Sequence, residues 1–268
     1  MKPLVLALEQ EPDQRLDLSP LSPHRLDGKS AKEIAEIEVQ TTREKVTVGD
    51  LFRIRPGDAQ TIVFEGGSTR LDNVGLGLKG GEIIVEGDVG KCVGRSMSGG
   101  NLVVAGDAGP YAGSALSGGR LEIGGNAGDF LGGPLEGELE GVTGGLLIVR
   151  GDAGARAGDR LRRGTLVIEG SAGDYPGSRM IAGTLVVLGA TGVLPGYLMR
   201  RGTIALANPP ELAPTFLDCG AHELAFASLS SRLLKPESRG AAKLFSSLLH
   251  RFAGDSAALG KGEILFPA

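Results

Sequence analysis

Several groups of side chains in this chain have types and spacings suited to chemistry. Cys219, His222 and Glu223 bring a thiol, an imidazole and a carboxylate into one short segment. Zinc takes three or four protein ligands, and the remaining histidines, His24 and His250, lie in other segments. A structural or interface role is therefore favoured over catalysis, and no Ser/His/Asp spacing suggests a nucleophilic triad. Asp88, Asp107, Asn126, Asp152 and Ser171 recur at one place in a repeating pattern. Stacked about 4.8 Å apart, such a column of oxygens could take Ca²⁺. The calcium-binding nonapeptide pattern is missing, and Asp, Asn and Ser at corners more often accept from the turn's own N–H groups. Gly75-Leu76-Gly77-Leu78-Lys79-Gly80 spells G-x-G-x-x-G. A dinucleotide site would need a helix next; a strand-like run, Glu82–Val85, follows instead, so these glycines read as a corner.

The arginines are more informative. Arg162-Arg163 and Arg200-Arg201 fall at the same corner of the repeat two units apart, with Arg160 and Arg179 one step away. Stacking would gather them into one outward ridge. That ridge is either a solvated edge or a dock for an acidic partner surface or a polyanionic ligand, because the guanidinium fork suits carboxylates. No catalytic, cofactor-binding or metal-binding residue is expected in this chain.

The element that must position them is a repeat. Units open at Gly80-Gly81, Gly99-Gly100, Gly118-Gly119, Gly144-Gly145, Arg163-Gly164, Ala182-Gly183 and Arg201-Gly202, with a step of 19 residues except for the third, which is 26. A fixed period in this range marks a solenoid. Each opening is followed by apolar residues at alternate places, such as Ile83/Val85, Leu102/Val104 and Leu166/Ile168, a strand with one face inward. Then comes G-x-x-G-x-x-x-G, as in Gly151-Gly154-Gly158, where glycine supplies the corners. Gly154 is expected at φ > 0. The pattern predicts an all-β solenoid, a right-handed β-helix of about seven coils spanning roughly 34 Å, with α+β flanking segments. One coil cannot bury its own apolar face, so several must stack and the ends must be covered.

The boundaries follow: a capping segment over 1–60, the β-helix over 61–208, and a tail with a short helix over 209–268. Lys2–Leu8 reads as a strand, and Ser30 with Glu33 as a capping box opening a helix over Ala31–Ile37. Ile37–Thr41 and Val46–Ile54 read as strands, and Ile62–Phe64 as the start of an imperfect first coil. The long coil holds its extra residues in GPLEGELEGVT, whose Glu136, Glu138 and Glu140 are expected in solvent or on a partner. Beyond Pro209-Pro210 the tail is free to cover the last coil, with an amphipathic helix over Ala241–Phe252 and a final strand at Ile264–Phe266.

Composition sets the outer limits. The 268 residues include 45 glycines, no tryptophan and only three tyrosines, and the net charge is −4. Nothing here draws the chain to nucleic acid or to an anionic membrane. Two cysteines make no disulfide framework, no run reaches membrane-spanning length, and the acidic N-terminal segment is unlike a signal peptide, so a cytoplasmic location is expected.

With its G-x-x-G-x-x-x-G coils the chain resembles the C-terminal domain of the large chain of glutamate synthase. It equally resembles the C subunit of formylmethanofuran dehydrogenase and that of its bacterial relative, the formyltransferase/hydrolase complex. Residues 14–34, QRLDLSPLSPHRLDGKSAKEI, and 199–206, MRRGTIAL, are similar to the flanks of this C-subunit family. The resemblance covers about residues 2–208, and the bacterial complex is favoured. It implies one-carbon (formaldehyde oxidation) metabolism, in which a formyl group passes from tetrahydromethanopterin to a methanofuran-type carrier and is released as formate. It also implies partner subunits A, B and D, with metal ions in the first of these, and a non-catalytic scaffold role for the C subunit. The alternatives are archaeal formylmethanofuran dehydrogenase, a glutamate-synthase-type module, and a stand-alone β-helical enzyme such as a polysaccharide lyase or an acyltransferase. Polysaccharide enzymes of this shape display aromatic platforms that three tyrosines cannot build.

Overall fold

The computed structural model of the chain describes residues 2–268. It is mostly β. The N-terminal segment carries β1 (Pro3–Leu8), β2 (Leu16–Asp17), α1 (Pro23–Leu26), α2 (Ala31–Ala35), β3 (Glu38–Thr41), β4 (Val46–Thr47), α3 (Val48–Leu51) and β5 (Phe52–Arg55). The repeat region carries β6 (Asp58–Glu65), β7 (Leu71–Asp72), β8 (Glu82–Val85), β9 (Ser98–Val104), β10 (Gly118–Ile123), β11 (Thr143–Val149), β12 (Arg163–Ile168), β13 (Thr184–Val187) and β14 (Arg201–Leu206). The tail adds β15 (Leu217–His222), α4 (Ala225–Leu234), α5 (Arg239–Leu244), β16 (Leu249–Gly254) and β17 (Lys261–Pro267).

Thirteen strands join one sheet in the order β15-β16-β17-β14-β13-β12-β11-β10-β9-β8-β6-β1-β5. Within the repeat every neighbour is parallel and in register. Ile83 sits beside Leu102, Leu102 beside Leu121, Leu121 beside Leu147, Leu147 beside Leu166 and Leu166 beside Leu185. A second column of isolated parallel bridges runs Val89–Ala108–Ala127–Ala153–Ala172–Thr191, one per unit. The alternate apolar residues all turn inward: Ile83, Val85, Leu102, Val104, Leu121 and Ile123 are fully buried.

The corner glycines divide into two kinds, which corrects the expectation for Gly154. The last glycine of each motif has left-handed backbone, as at Gly158 (φ 72°), whereas Gly154 does not. At Gly154 glycine is required by crowding instead. A Cβ there would meet the Asp129 side chain and would lie 2.8 Å from the Asp129 amide nitrogen in the unit below.

Both ends are closed. β1 pairs parallel with β6 and antiparallel with β5. The Ser30/Glu33 capping box forms, with the Ser30 N–H donating to Glu33 Oε2 at 2.8 Å, and its helix stops at Ala35. The stretch Val46–Ile54 is not one strand: α3 splits it, started by a second capping box between Thr47 and Asp50. At the other end β17 lies parallel on β14, so the tail does cover the last unit.

The expected helix over Ala241–Phe252 is overturned. It ends at Leu244, where the Ser246 and Ser247 hydroxyls donate to the carbonyls of Lys243 and Leu244, and Leu249 begins a strand antiparallel to β17. Meanwhile α4, α5 and Leu249 pack on Ile148, Val167, Val186 and Ala205, the outward-facing residues of β11 to β14, forming a second apolar cluster. A polar seam fixes this cover. Arg120 Nε donates to Glu237 at 3.0 Å, Arg150 bridges Glu122 and Glu169, and Ser238 Oγ donates to Glu169 at 2.6 Å. Burial pushes the Glu122 carboxyl up, and hydrogen bonds from Arg150 and Arg120 outweigh it, leaving Glu122 below the ordinary range.

Candidate docking groove

The corners that follow the Ala153 and Ala172 bridges each hold one of the six arginines in left-handed backbone, Arg160 (φ 50°) and Arg179 (φ 52°). A side chain at φ > 0 is costly unless the surroundings fix it. Here the ladder does so, with the Arg160 N–H donating to Ser178 O and the Arg179 N–H to Tyr197 O. Asp159, fully buried, accepts from Ser178 Oγ at 2.6 Å and from Arg179 Nε at 3.0 Å, with Arg179 Nη2 on its second oxygen. A buried carboxylate is tolerated when paired and hydrogen-bonded. Its effect is to hold the Arg179 guanidinium in one orientation.

Two residues on, Arg162, Ile181 and Arg200 take equivalent places in three successive units, with the Ile181 N–H donating to Leu161 O and the Arg200 N–H to Met180 O. Together these rows floor a groove of about 930 Å³, lined by Arg160, Arg162, Arg179, Ile181, Leu198 and Arg200. The long third unit closes one side with Leu139 and Glu140, and the tail loop closes the other with Ala257, Ala258 and Leu259. Leu139 is 77% exposed and Leu259 48%, so each rim carries an exposed leucine.

The insert reaches solvent at Glu136 and Leu139, and two of its three acids also turn back on the chain's own arginines. Glu138 accepts from Arg95 Nη2 at 2.7 Å and from the Leu135 N–H at 2.9 Å, and its carbonyl accepts from Arg160 Nη1 at 2.7 Å. The Arg95 hydrogen bond, with the Leu135 N–H in support, holds the Glu138 carboxyl below the ordinary range against a smaller effect of burial. Glu140 pairs with Arg162, both partly exposed. Arg200 has no ion-pair partner among the described residues. The four arginines of the groove are set against Glu140, Asp159 and the buried Asp255, whose carboxylate accepts from the Leu198 and Ala257 N–H groups, leaving one positive charge in excess in a chain whose net charge is −4.

Arg163 and Arg201 stand apart. They begin β12 and β14, are exposed, and lie outside the groove; Arg201 sits in register with Lys261. Sequence reasoning missed Asp159, Leu198, Leu259 and Glu140 as parts of this site. A signal for Asp159 was present: the same place one unit later is Ser178, both small enough to sit inside a corner.

The other candidates resolve as structure. The Asp88 column is a ladder between units, not a set of local turns. Asp88 Oδ1 accepts from the Asp107 N–H at 2.8 Å, Asp107 from Asn126 at 2.6 Å, Asn126 from Asp152 at 2.8 Å and Asp152 from Ser171 at 2.7 Å. Among the described residues no group of three or more His, Cys, Asp or Glu side chains is placed to hold a metal ion. His222 contacts the Cys219 carbonyl oxygen, and His250 pairs with Asp218, so Cys219, His222 and Glu223 form no cluster. Gly75 and Gly77 take positive φ in a turn before β8, as a corner requires. No helix is long and apolar enough to cross a membrane.

No protein-family model matches the chain. It is 55% identical over 263 residues, 98% of its own length and 99% of the relative's, to the C subunit of the formyltransferase/hydrolase complex from Methylorubrum extorquens. Similarity to the C subunit of the tungsten-containing formylmethanofuran dehydrogenase 2 of Methanothermobacter marburgensis is 30% over 99 residues, 35% of this chain. In three dimensions it superposes on a chain of the crystal structure of the formyltransferase/hydrolase complex from Methylorubrum extorquens in complex with methylofuran. That match has a TM-score of 0.95 and 45% identity over the superposition, covering 98% of this chain and 99% of that one. With its register, its capped ends and a relative matched over nearly its whole length, the chain belongs to the C-subunit family of the formyltransferase/hydrolase complex.

Proposed function

We propose that this chain is a non-catalytic scaffold of a formyltransferase/hydrolase complex, partnered by subunits A, B and D in the cytoplasm. In this reading it is a right-handed β-helix of seven coils over 61–208, capped by 1–60 and by the tail 209–268. It holds no cofactor; metal ions belong to the A subunit, and the tetrahydromethanopterin and methanofuran-type substrates are handled by the partners. One observation carries the reading: the match to the Methylorubrum extorquens relative extends over 98% of the chain, whereas the dehydrogenase match covers 35%. That contrast also favours the hydrolase complex over the dehydrogenase. The open, arginine-lined groove suits a chain that positions others.

Within this reading Arg160, Arg162, Arg179 and Arg200 dock an acidic partner surface, and Arg163 and Arg201 extend the same positive field along the edge. Tagged chain purified from its native host should carry subunits A, B and D with it, and the isolated chain should show neither formyl transfer nor hydrolysis. Activity of the isolated chain would overturn the scaffold reading. Replacing Arg160, Arg162 and Arg200 by Ala should weaken assembly, seen as loss of partners at moderate salt; full assembly in the triple variant would remove the groove from the interface.

A further inference from the structure

The one irregular step of the repeat inserts its acids at the arginine corner, and they are held unequally. Glu138 is an anchor: it takes Arg95 and the Leu135 N–H, and its carbonyl takes Arg160. Glu140 has only Arg162, and both side chains reach solvent, with 34% and 48% of their surface exposed. Its neighbour Leu139, 77% exposed, leans over the same groove without a covering side chain. An exposed ion pair is weak and is easily exchanged for another carboxylate.

Resting on the docking reading above, we infer that the insert is a built-in competitor: Glu140 and Leu139 stand in the groove as a stand-in for an acidic, leucine-containing peptide segment of a partner. Three features select that occupant. The charge is complementary, because one guanidinium charge remains in excess after Glu140, Asp159 and Asp255 are counted, and two once Glu140 is displaced. Leu259, Ile181 and Leu198 offer apolar contacts, which a bare inorganic polyanion would leave unused. Arg162 and Arg200, two units apart, are separated by about 10 Å along the stack, a span of roughly three extended residues. The partner segment displaces Glu140 from Arg162, gains Arg200, and leaves the Glu138 anchor in place.

The test is binding of a short labelled peptide of alternating glutamate and leucine to the purified chain, followed by fluorescence anisotropy. Glu140→Gln keeps the side chain's shape and removes its charge. It should tighten binding roughly two- to fivefold, the factor that one exposed ion pair allows, and should change nothing when Arg162 is already Ala. Equal affinity of the wild type and Glu140→Gln would overturn the competitor while leaving the groove as a dock. Binding indifferent to Arg160→Ala and Arg200→Ala would overturn the groove itself. Inorganic polyphosphate binding as tightly as the peptide, with no loss in Leu259→Ser, would overturn the peptide as occupant in favour of a bare polyanion.

Discussion

Two glycines a few residues apart do different work. Gly158 has φ 72°, and a hypothetical Cβ there would make only ordinary van der Waals contact, with the nearest heavy atom at 3.5 Å. Alanine there should cost about 1–2 kcal/mol through the left-handed backbone alone. Gly154→Ala should cost about 1–3 kcal/mol through overpacking against Asp129, whose Oδ1 otherwise accepts from the Ala155 N–H at 2.8 Å. Denaturant midpoints separate the two mechanisms. Truncating Asp129 to Ala should relieve part of the Gly154→Ala loss and none of the Gly158→Ala loss. The spacing of these glycines is visible in the sequence, and so is the need for corners. Which glycine turns and which one yields room is not, because the second role depends on the neighbouring unit. The Asp88 column shows the same limit. Its residue types announce hydrogen bonds to backbone, but that the acceptor serves the next unit's N–H emerges only once Asp88 and Asp107 are stacked.

Elements gained and lost in the tail follow from what lies opposite them. The outward column reads Ile84, Val103, Glu122, Ile148, Val167, Val186 and Ala205, and the last four are buried by α4 and α5. A column that is apolar apart from Glu122 is legible as a demand for a cover, although not as to which segment supplies it or how far it reaches. The Leu244, Leu248 and Leu249 spacing suits a helix, and pairing with β17 wins, placing Leu249 in the cluster while Leu248 stays 51% exposed. The insert is held by a contact that acid removes. Its Glu138 has a depressed folded-state pKa, chiefly through the Arg95 hydrogen bond. The contribution is therefore complete above the unfolded value of about 4.5 and disappears as pH falls through the folded value. Amide exchange over residues 134–142 should accelerate on acidification below that point, while the β8–β14 strands stay protected. In Arg95→Ala the loop should already exchange fast at neutral pH; a loop equally protected there would remove Glu138 as its anchor.

For the molecule as a whole, stacking means that no unit is stable by itself and that each end exposes an unpaired ladder. β17 covers β14 at one end, and β1 with β5 covers β6 at the other. A chain cut after Asn208 should expose the β14 edge and the Ile148–Ala205 face together. It should associate or precipitate at concentrations where the full chain elutes as one species on size exclusion; a soluble truncated monomer with full β circular dichroism would show that the tail is dispensable. The 19-residue period announces the parallel register, and the arginine spacing puts Arg160, Arg162, Arg179 and Arg200 on one edge. The rims could not be foreseen, since Leu139 and Leu259 come from segments about 120 residues apart in the chain.

The insert has a further consequence. A wall whose rungs recur about every 4.8 Å offers a visitor several nearly identical footholds, and a grip one notch too high or too low would cost little. By breaking the repeat once, at Gly133–Thr143, the chain gives its arginine edge a top and a bottom. Leu139 and Glu140 mark one height on that edge, so a visitor that takes the place of Glu140 is seated at that rung alone.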